Sequence, residues 1–316
     1  MKSQNQGPEA LYQSAHRSGI LEERAALAAK VLENCALCPR RCGANRARGE
    51  KGYCRGGRLP AVSSYNPHFG EEAPLVGLHG SGTIFMTDCN LRCHFCQNYD
   101  ISHLGHGHEV SAERLAEMML ELQAVGCHNI NFVTPTHYVP QILEAVFLAA
   151  GRGLAVPLVY NTGGYDAVET VRLLDGVFDI YMPDLKFMDS APAEEFCGAA
   201  DYPQVAQAAI LEMHRQVGDL VLDDRGIARR GLLVRHLVLP QGLAGTRRAM
   251  HFLAAKVSTN TYVNIMDQYR PCGEVGPRSP LGRRITPEEY EEAVAAAQEE
   301  GLNRLDERES RKFRLF

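Results

Sequence analysis

The chain has 316 residues, 45% of them apolar and 22% charged, so it can bury a large core and is neither disordered nor of low complexity. A formal net charge of -5 argues against a protein that coats nucleic acid, and no apolar stretch is long and uninterrupted enough to span a bilayer. The opening MKSQNQGPEALYQSAHRSG has no apolar leader, so the expected setting is cytoplasmic; there thiols stay reduced, and ten cysteines point to metal rather than to disulfides.

Residues 1–34 carry a helical apolar pattern (Leu11, Ile20, Leu21, Ala25, Leu27, Leu32) and are expected to lie as helices on the outside of the fold. Residues 35–75 are rich in Cys, Gly, Arg and Pro, with little periodicity. Within them Cys35, Cys38, Cys42 and Cys54 follow the order C-x2-C-x3-C-x11-C. Four thiolates in a segment too poor in apolar residues to fold alone fit a metal site, either structural zinc or a second iron–sulfur cluster. Unligated thiols or a regulatory disulfide are the alternative. Between Arg40 and Arg58 lie seven basic residues and one acidic one. Such a run balances thiolate charge on a solvated loop, or is where a nucleic-acid-binding function would reside.

From residue 82 onward short apolar runs alternate with amphipathic segments. The runs TIFM (83–86), INFV (130–133), VPLVY (156–160), FDIYM (178–182), LLVRHLVL (232–239) and TYVNIM (261–266) predict strands. Helices are predicted at 111–125, 139–150, 166–174, 204–217 and 246–257, and a last one begins at Thr286, where Thr-Pro-Glu-Glu supplies an N-cap, a proline at N1 and a capping-box Glu289. Strands each followed by a helix imply a parallel sheet with right-handed crossovers. The fold class is therefore α/β, a partial (β/α)6 TIM-type barrel over 76–316, preceded over 1–75 by a helical and Cys-rich metal-binding extension. In barrels the chemistry sits at the C-terminal ends of the strands.

Directly after the first predicted strand stand Cys89, Cys93 and Cys96, spaced C-x3-C-x2-C. A cubane of four irons needs four ligands, so three cysteines leave one iron open, as an open position distinguishes a catalytic zinc from a structural one. The alternative is three free buried thiols, or a zinc that borrows His94. His103, His106 and His108 read as a solvated lid, Cys127 and Cys197 as packing residues, and Cys272 as a weak substrate-side candidate.

The string GSGTIFMTDCNLRCHFCQN (80–98), with Phe95 before the third cysteine, resembles the radical S-adenosylmethionine (SAM) superfamily, and within it the pyruvate formate-lyase activating enzyme group and its PflX-like homologues. The resemblance covers nearly the whole chain. It implies a [4Fe–4S] cluster on Cys89, Cys93 and Cys96, SAM chelated at the open iron, and a flavodoxin- or ferredoxin-type electron donor. Reductive cleavage of SAM would give a 5′-deoxyadenosyl radical that abstracts hydrogen from a protein or small-molecule substrate. Thr134 and Thr136 stand where the superfamily often has Gly-Gly-Glu for the methionyl amine. Asn161 and Thr162 match the activating enzymes' Asp-Thr, and Met182, Asp184 and Lys186 match their Met-Leu-Asp-Leu-Lys. By that resemblance Thr162, the Met182 carbonyl and Asp184 hold a monovalent cation against the SAM carboxylate. Arg235 matches the arginine that grips the carboxylate, and Tyr269 lines the adenosine or substrate side. The reading from another class is a non-catalytic iron–sulfur or zinc protein, an electron carrier or a nucleic-acid-binding module.

Overall fold

The alternation of apolar runs and amphipathic segments becomes, in the computed structural model, which describes residues 9–306, a mostly parallel sheet. Its strands are β1 (Ala61–His68), β2 (Ser81–Met86), β3 (His108–Glu109), β4 (Ile130–Val133), β5 (Leu158–Thr162), β6 (Ile180–Pro183), β7 (Val221–Leu222), β8 (Ala228–Leu237), β9 (Tyr262–Met266) and β10 (Arg304–Leu305). The order is β10-β9-β8-β6-β5-β4-β2-β1-β3, with β7 beside β8, and the neighbours from β2 through β9 pair parallel. Helices follow the parallel strands: Ala112–Ala124, Val139–Gly151, Val168–Leu173, Tyr202–Val217 and Thr246–Phe252. The helix Pro287–Glu299 begins with both halves of the expected capping box, Thr286 Oγ1 accepting from Glu289 N and the Glu289 carboxylate from Thr286 N.

Beside the short strands β3, β7 and β10, two departures from the expected map stand out. β1 lies N-terminal to the expected division at residue 75 and pairs antiparallel with β2, with the register Val62↔Met86 to His68↔Ser81. Its sequence, AVSSYNPH, alternates weakly because its outer face is exposed, so periodicity could not reveal it. The helix Ser190–Cys197 was also absent from the expected map.

Strand alternation separates the barrel lumen from the outer face. Tyr160, Tyr181 and Val234 belong to the large core between sheet and helices. Val159, Ile180, Met182 and Leu233 instead form a second, smaller cluster with Leu75, which comes from the segment joining β1 to β2. Side chains two apart on a strand share a face. Asn161, Asp184 and Arg235 therefore continue the lumen face toward the C-terminal end, where Asn161 registers with Met182, Asp184 bridges Arg235, and Arg235 registers with Asn264. Topology alone brings these polar residues to one mouth.

The helices Leu11–Arg17 and Ile20–Val31 pack on the outside, as their apolar pattern implied. Tyr12 donates its hydroxyl to Val156 O at 3.0 Å, and Leu11 N donates to the Asp179 carboxylate at 2.8 Å. Asp179 also accepts from Leu158 N at 2.9 Å, so one carboxylate ties the first helix to β5. Burial, opposed by those N–H groups, pushes its pKa up to about 7. A carboxyl raised above its unfolded value binds a proton in the native state that the unfolded chain has already released. Its contribution to stability therefore declines as pH rises from about 4 toward 7. Asp179→Asn is expected to flatten that part of the pH profile of Tm; a profile parallel to wild type would show that Asp179 is ionised throughout.

Candidate active site

The loop after β2 turns back on itself through two residues in the left-handed region, Asp88 at φ 64 and Arg92 at φ 52. Holding an arginine there costs backbone energy that surrounding contacts must offset. Those contacts are visible: Asp88 N donates to Ile101 O at 3.0 Å, His94 N to Phe196 O at 2.8 Å and Cys96 N to Cys93 O at 3.1 Å. The coil brings Cys89, Cys93 and Cys96 within electrostatic reach of one another at the C-terminal mouth of the barrel. His137, from the turn after β4, supports the loop's root by donating Nε2–H to Thr87 O at 2.9 Å. Burial lowers its pKa to about 3, so it is a neutral strut.

Each of the three sulfurs has a polar or thiol neighbour. Leu91 N approaches Cys89 Sγ at 3.3 Å and Ser102 Oγ approaches Cys96 Sγ at 3.1 Å, while Cys93 lies against the thiol of Cys197. That contact, with burial, holds Cys93 well above the usual thiol range; burial and the charge of Cys93 push Cys89 up to about 12. Free, these are protonated thiols, and metal must displace their protons to bind. Cys197, expected as mere packing, ends the helix Ser190–Cys197 beside the loop. Cys272 donates to Phe95 O at 3.2 Å, on the same side. His103 is not part of a solvated lid: it is 4% exposed, stacks on Tyr99 and lies 2.8 Å from Ser102 Oγ.

Across the mouth, the expected SAM residues divide into two groups. In the lumen, Asp184 takes Lys186 Nζ at 2.6 Å on one oxygen and Arg235 Nε at 2.7 Å on the other, and Arg235 Nη2 donates to Asn161 Oδ1 at 2.7 Å. Burial alone would raise the Asp184 pKa; the charges of Arg235 and Lys186 override it and hold the carboxyl below its ordinary value. Burial opposes the charge on Lys186, and Asp184 keeps it ionised. Met182 lies fully buried one register below. Glu71 approaches Arg235 at 3.9 Å, and Glu72 accepts from Asn264 at 2.8 Å.

The second group lies behind the strand ends. Thr136 Oγ1 and Thr162 Oγ1 are 3.1 Å apart, and both donate to the buried Asp166, at 2.7 and 2.6 Å, as does the Tyr160 hydroxyl at 2.9 Å. Asp166 carries no strand or motif signal and was missed. Thr134, at φ 61, donates its backbone N–H to Asn161 O at 2.8 Å and so turns the chain at the rim. Tyr269 is brought to the site by its ring, which packs edge-on against Phe95; its hydroxyl is committed to Leu281 O at 2.7 Å.

This constellation fits the groups the three-cysteine motif implies. The donor set at the loop is three soft thiolates, the usual ligands of an iron–sulfur cluster. Arg235 faces Glu71 and Glu72 as well as Asp184, so the network is charge-compensated, and what it offers a carboxylate guest is the planar fork of the guanidinium. Lower in the lumen, among the described residues, both amide atoms of the buried Asn131 and Glu72 Oε2 have no partner, which leaves hydrogen-bonding capacity for a polar guest.

The radical SAM superfamily profile matches residues 83–217. An uncharacterized protein of Methanocaldococcus jannaschii is 30% identical over 295 residues, covering 91% of this chain and 81% of that protein. Among solved structures, HydG, a maturase of the [FeFe]-hydrogenase, is similar with a TM-score of 0.50 and 12% identity, over 71% of this chain and 50% of that one. This chain thus spans about half of HydG, and at that identity the likeness concerns the fold alone. A radical SAM methyltransferase from Sphaerobacter thermophilus has a TM-score of 0.48 at 15% identity, over 70% of this chain and 64% of its own. Among the described residues no helix is long and apolar enough to cross a membrane. The matched stretch begins within β2 and takes in the cysteine loop and the rims of β4, β5 and β6, so the profile and the geometry meet on the same residues: residues 83–217 carry a radical SAM superfamily domain.

Proposed function

We propose that the chain is an enzyme akin to the pyruvate formate-lyase activating group, in its PflX-like branch, that abstracts a hydrogen atom from a protein or small-molecule substrate. The observation that carries this reading is the cysteine loop standing at the same barrel mouth as the Arg235–Asp184–Lys186 network. The superfamily domain implies a [4Fe–4S] cluster and SAM, and together these supply reductive cleavage of SAM to a 5′-deoxyadenosyl radical. Cys89, Cys93 and Cys96 would be the ligands, and a flavodoxin- or ferredoxin-type protein the donor.

The chain's own residues then orient and exclude water. Arg235, pinned by Asp184 and Asn161, presents its guanidinium to the methionyl carboxylate. Lys186 places at Asp184 the charge that a monovalent cation places there in the activating enzymes. The Thr136 and Thr162 hydroxyls, their hydrogens given to Asp166 on the face away from the lumen, brace the turns after β4 and β5 rather than receive the methionyl ammonium. The basic run of 40–58 favours this over a nucleic-acid module, because Arg40, Arg46 and Arg55 donate to backbone carbonyls of the fold itself.

The test is anaerobic reconstitution with iron and sulfide, reduction with dithionite and addition of SAM. Formation of 5′-deoxyadenosine is expected, with deuterium transfer from candidate substrates then identifying the hydrogen donor. None formed by a fully loaded protein would overturn the reading.

A further inference from the structure

We propose that Cys35, Cys38, Cys42 and Cys54 hold a second [4Fe–4S] cluster, ligated by four thiolates and set against the loop of the first. The electron-relay part of this inference rests on the reading above; the site itself does not.

The segment that carries these cysteines has little else to hold it. Its one regular element is the turn Arg46–Arg48, and its buried apolar residues are Leu32, Cys35 and Leu37. The backbone is nonetheless tightly folded, with Cys35 N donating to Ala44 O at 3.1 Å, Gly43 N to Cys35 O at 3.0 Å and Arg41 N to Cys38 O at 3.0 Å. Cys35, Cys38 and Cys54 are buried and all four are free thiols. Cys38 lies within electrostatic reach of Cys54 and Cys35, and Cys54 of Cys35 and Cys42, so the four share one neighbourhood. At Gly52 a Cβ would stand 2.3 Å from Cys42 Sγ, so this position admits no side chain while the sulfur stays where it is.

An independent observation asks for negative charge there. Arg46 is 0% exposed and lies close enough to Cys54 to act on it electrostatically. Its guanidinium donates to Gly57 O at 3.1 and 2.8 Å and to His137 O at 2.6 Å, and among the described residues it pairs with no carboxylate. A buried guanidinium without a counter-charge is costly. Neutral thiols do not supply one; four thiolates around a [4Fe–4S] core, whose net charge is negative, do.

Spacing distinguishes a cluster from zinc. Thiolates on one zinc stand about 3.8 Å apart, as Zn–S bonds near 2.3 Å in a tetrahedron require. Among the described residues no three His, Cys, Asp or Glu side chains are grouped to hold a single ion, and this is as true of the four cysteines as of the three at the barrel mouth. Neither set is closed on one small ion, which favours a cluster over zinc at both.

Placement supplies the role. The Asn90 side chain lies near the Cys38 sulfur, and Asn90 adjoins Cys89 in the chain; Arg40 Nε donates to Asn90 O at 3.1 Å and Arg40 Nη2 to Cys197 O at 2.9 Å. With four protein ligands the second cluster has no open iron for SAM. It accepts one electron from a low-potential flavodoxin- or ferredoxin-class donor and passes that electron to the cluster at Cys89, returning to its oxidised state.

The full-length Cys89→Ala/Cys93→Ala/Cys96→Ala variant, reconstituted anaerobically, tests the site without the first cluster. About four irons per chain are expected, against about eight in wild type. The variant's reduced paramagnetic signal should not respond to SAM, and in reduced wild type spin coupling between neighbouring clusters should broaden the signals. Zinc without iron, or no metal in a variant whose circular dichroism matches wild type, overturns the proposal. If the variant is insoluble the wild-type count decides, about four irons overturning it. Unbroadened wild-type signals from two loaded clusters overturn the relay. Failure of the radical SAM reading would look different: iron fully loaded and no 5′-deoxyadenosine.

Discussion

Cys93→Ala is expected to abolish 5′-deoxyadenosine formation and to remove the cluster of the barrel mouth, about four irons per chain, whereas Cys197→Ala should keep both. The comparison matters because the two thiols lie against each other, so a motif alone does not say which of them reaches the metal. The loop argues for Cys93: it stands between Cys89 and Cys96 on the same coil, and its backbone O accepts from Cys96 N at 3.1 Å. Cys197 comes from a separate helix, fixed through its carbonyl by Arg40, and its natural part is to donate a hydrogen bond to the Cys93 thiolate. Hydrogen bonds to the sulfurs raise a cluster's potential. Cys197→Ala should therefore lower the reduction potential while leaving the iron count intact. Were Cys197→Ala instead to lose the iron, a fourth protein thiolate would be completing the coordination, and the chain would be an electron carrier.

The barrel was legible because its strands are buried on both faces and read as short apolar runs, and its cysteine loop because spacing and topology agreed. β1 was not, since one of its faces is exposed and its pattern dissolves among Ser, Asn and Pro. Arg235, Asn161, Asp184 and Lys186 were each found by matching, but not their contacts with one another: the strand register, not the sequence, puts Asn161, Asp184 and Arg235 on one lumen face. Asp166 and Cys197 were missed for a related reason. Each lies outside a strand, and its meaning comes from contacts with residues 4 to 104 positions away in sequence. Arg46 read as one more charge in a solvated run; only its complete burial shows that the run is part of a folded knot.

Asp184→Ala is expected to cost about 3–5 kcal/mol of stability, because it leaves two largely buried cations, Lys186 and Arg235, without the carboxylate they share. For a chain of this size that corresponds to a fall in Tm of roughly 5–10 °C. The sign of the pH dependence follows from the depressed pKa of Asp184. A carboxyl lowered in the folded state contributes stability that is present above its unfolded value near 3.9 and is lost as pH falls through the folded value. The wild-type advantage over the variant should therefore be undiminished at pH 6–8 and shrink only in acid. Removing one cation as well, in Asp184→Asn/Arg235→Gln, should recover part of the loss, since it removes an uncompensated charge. SAM affinity separates the structural part from the functional one. In the double variant stability partly returns but the guanidinium is gone, so binding measured by equilibrium dialysis should stay weak. A single variant within about 0.5 kcal/mol of wild type would mean that the network is solvated and that water, rather than Asp184, balances Lys186 and Arg235. An equally stable double variant that bound SAM as wild type does would remove Arg235 from the carboxylate site.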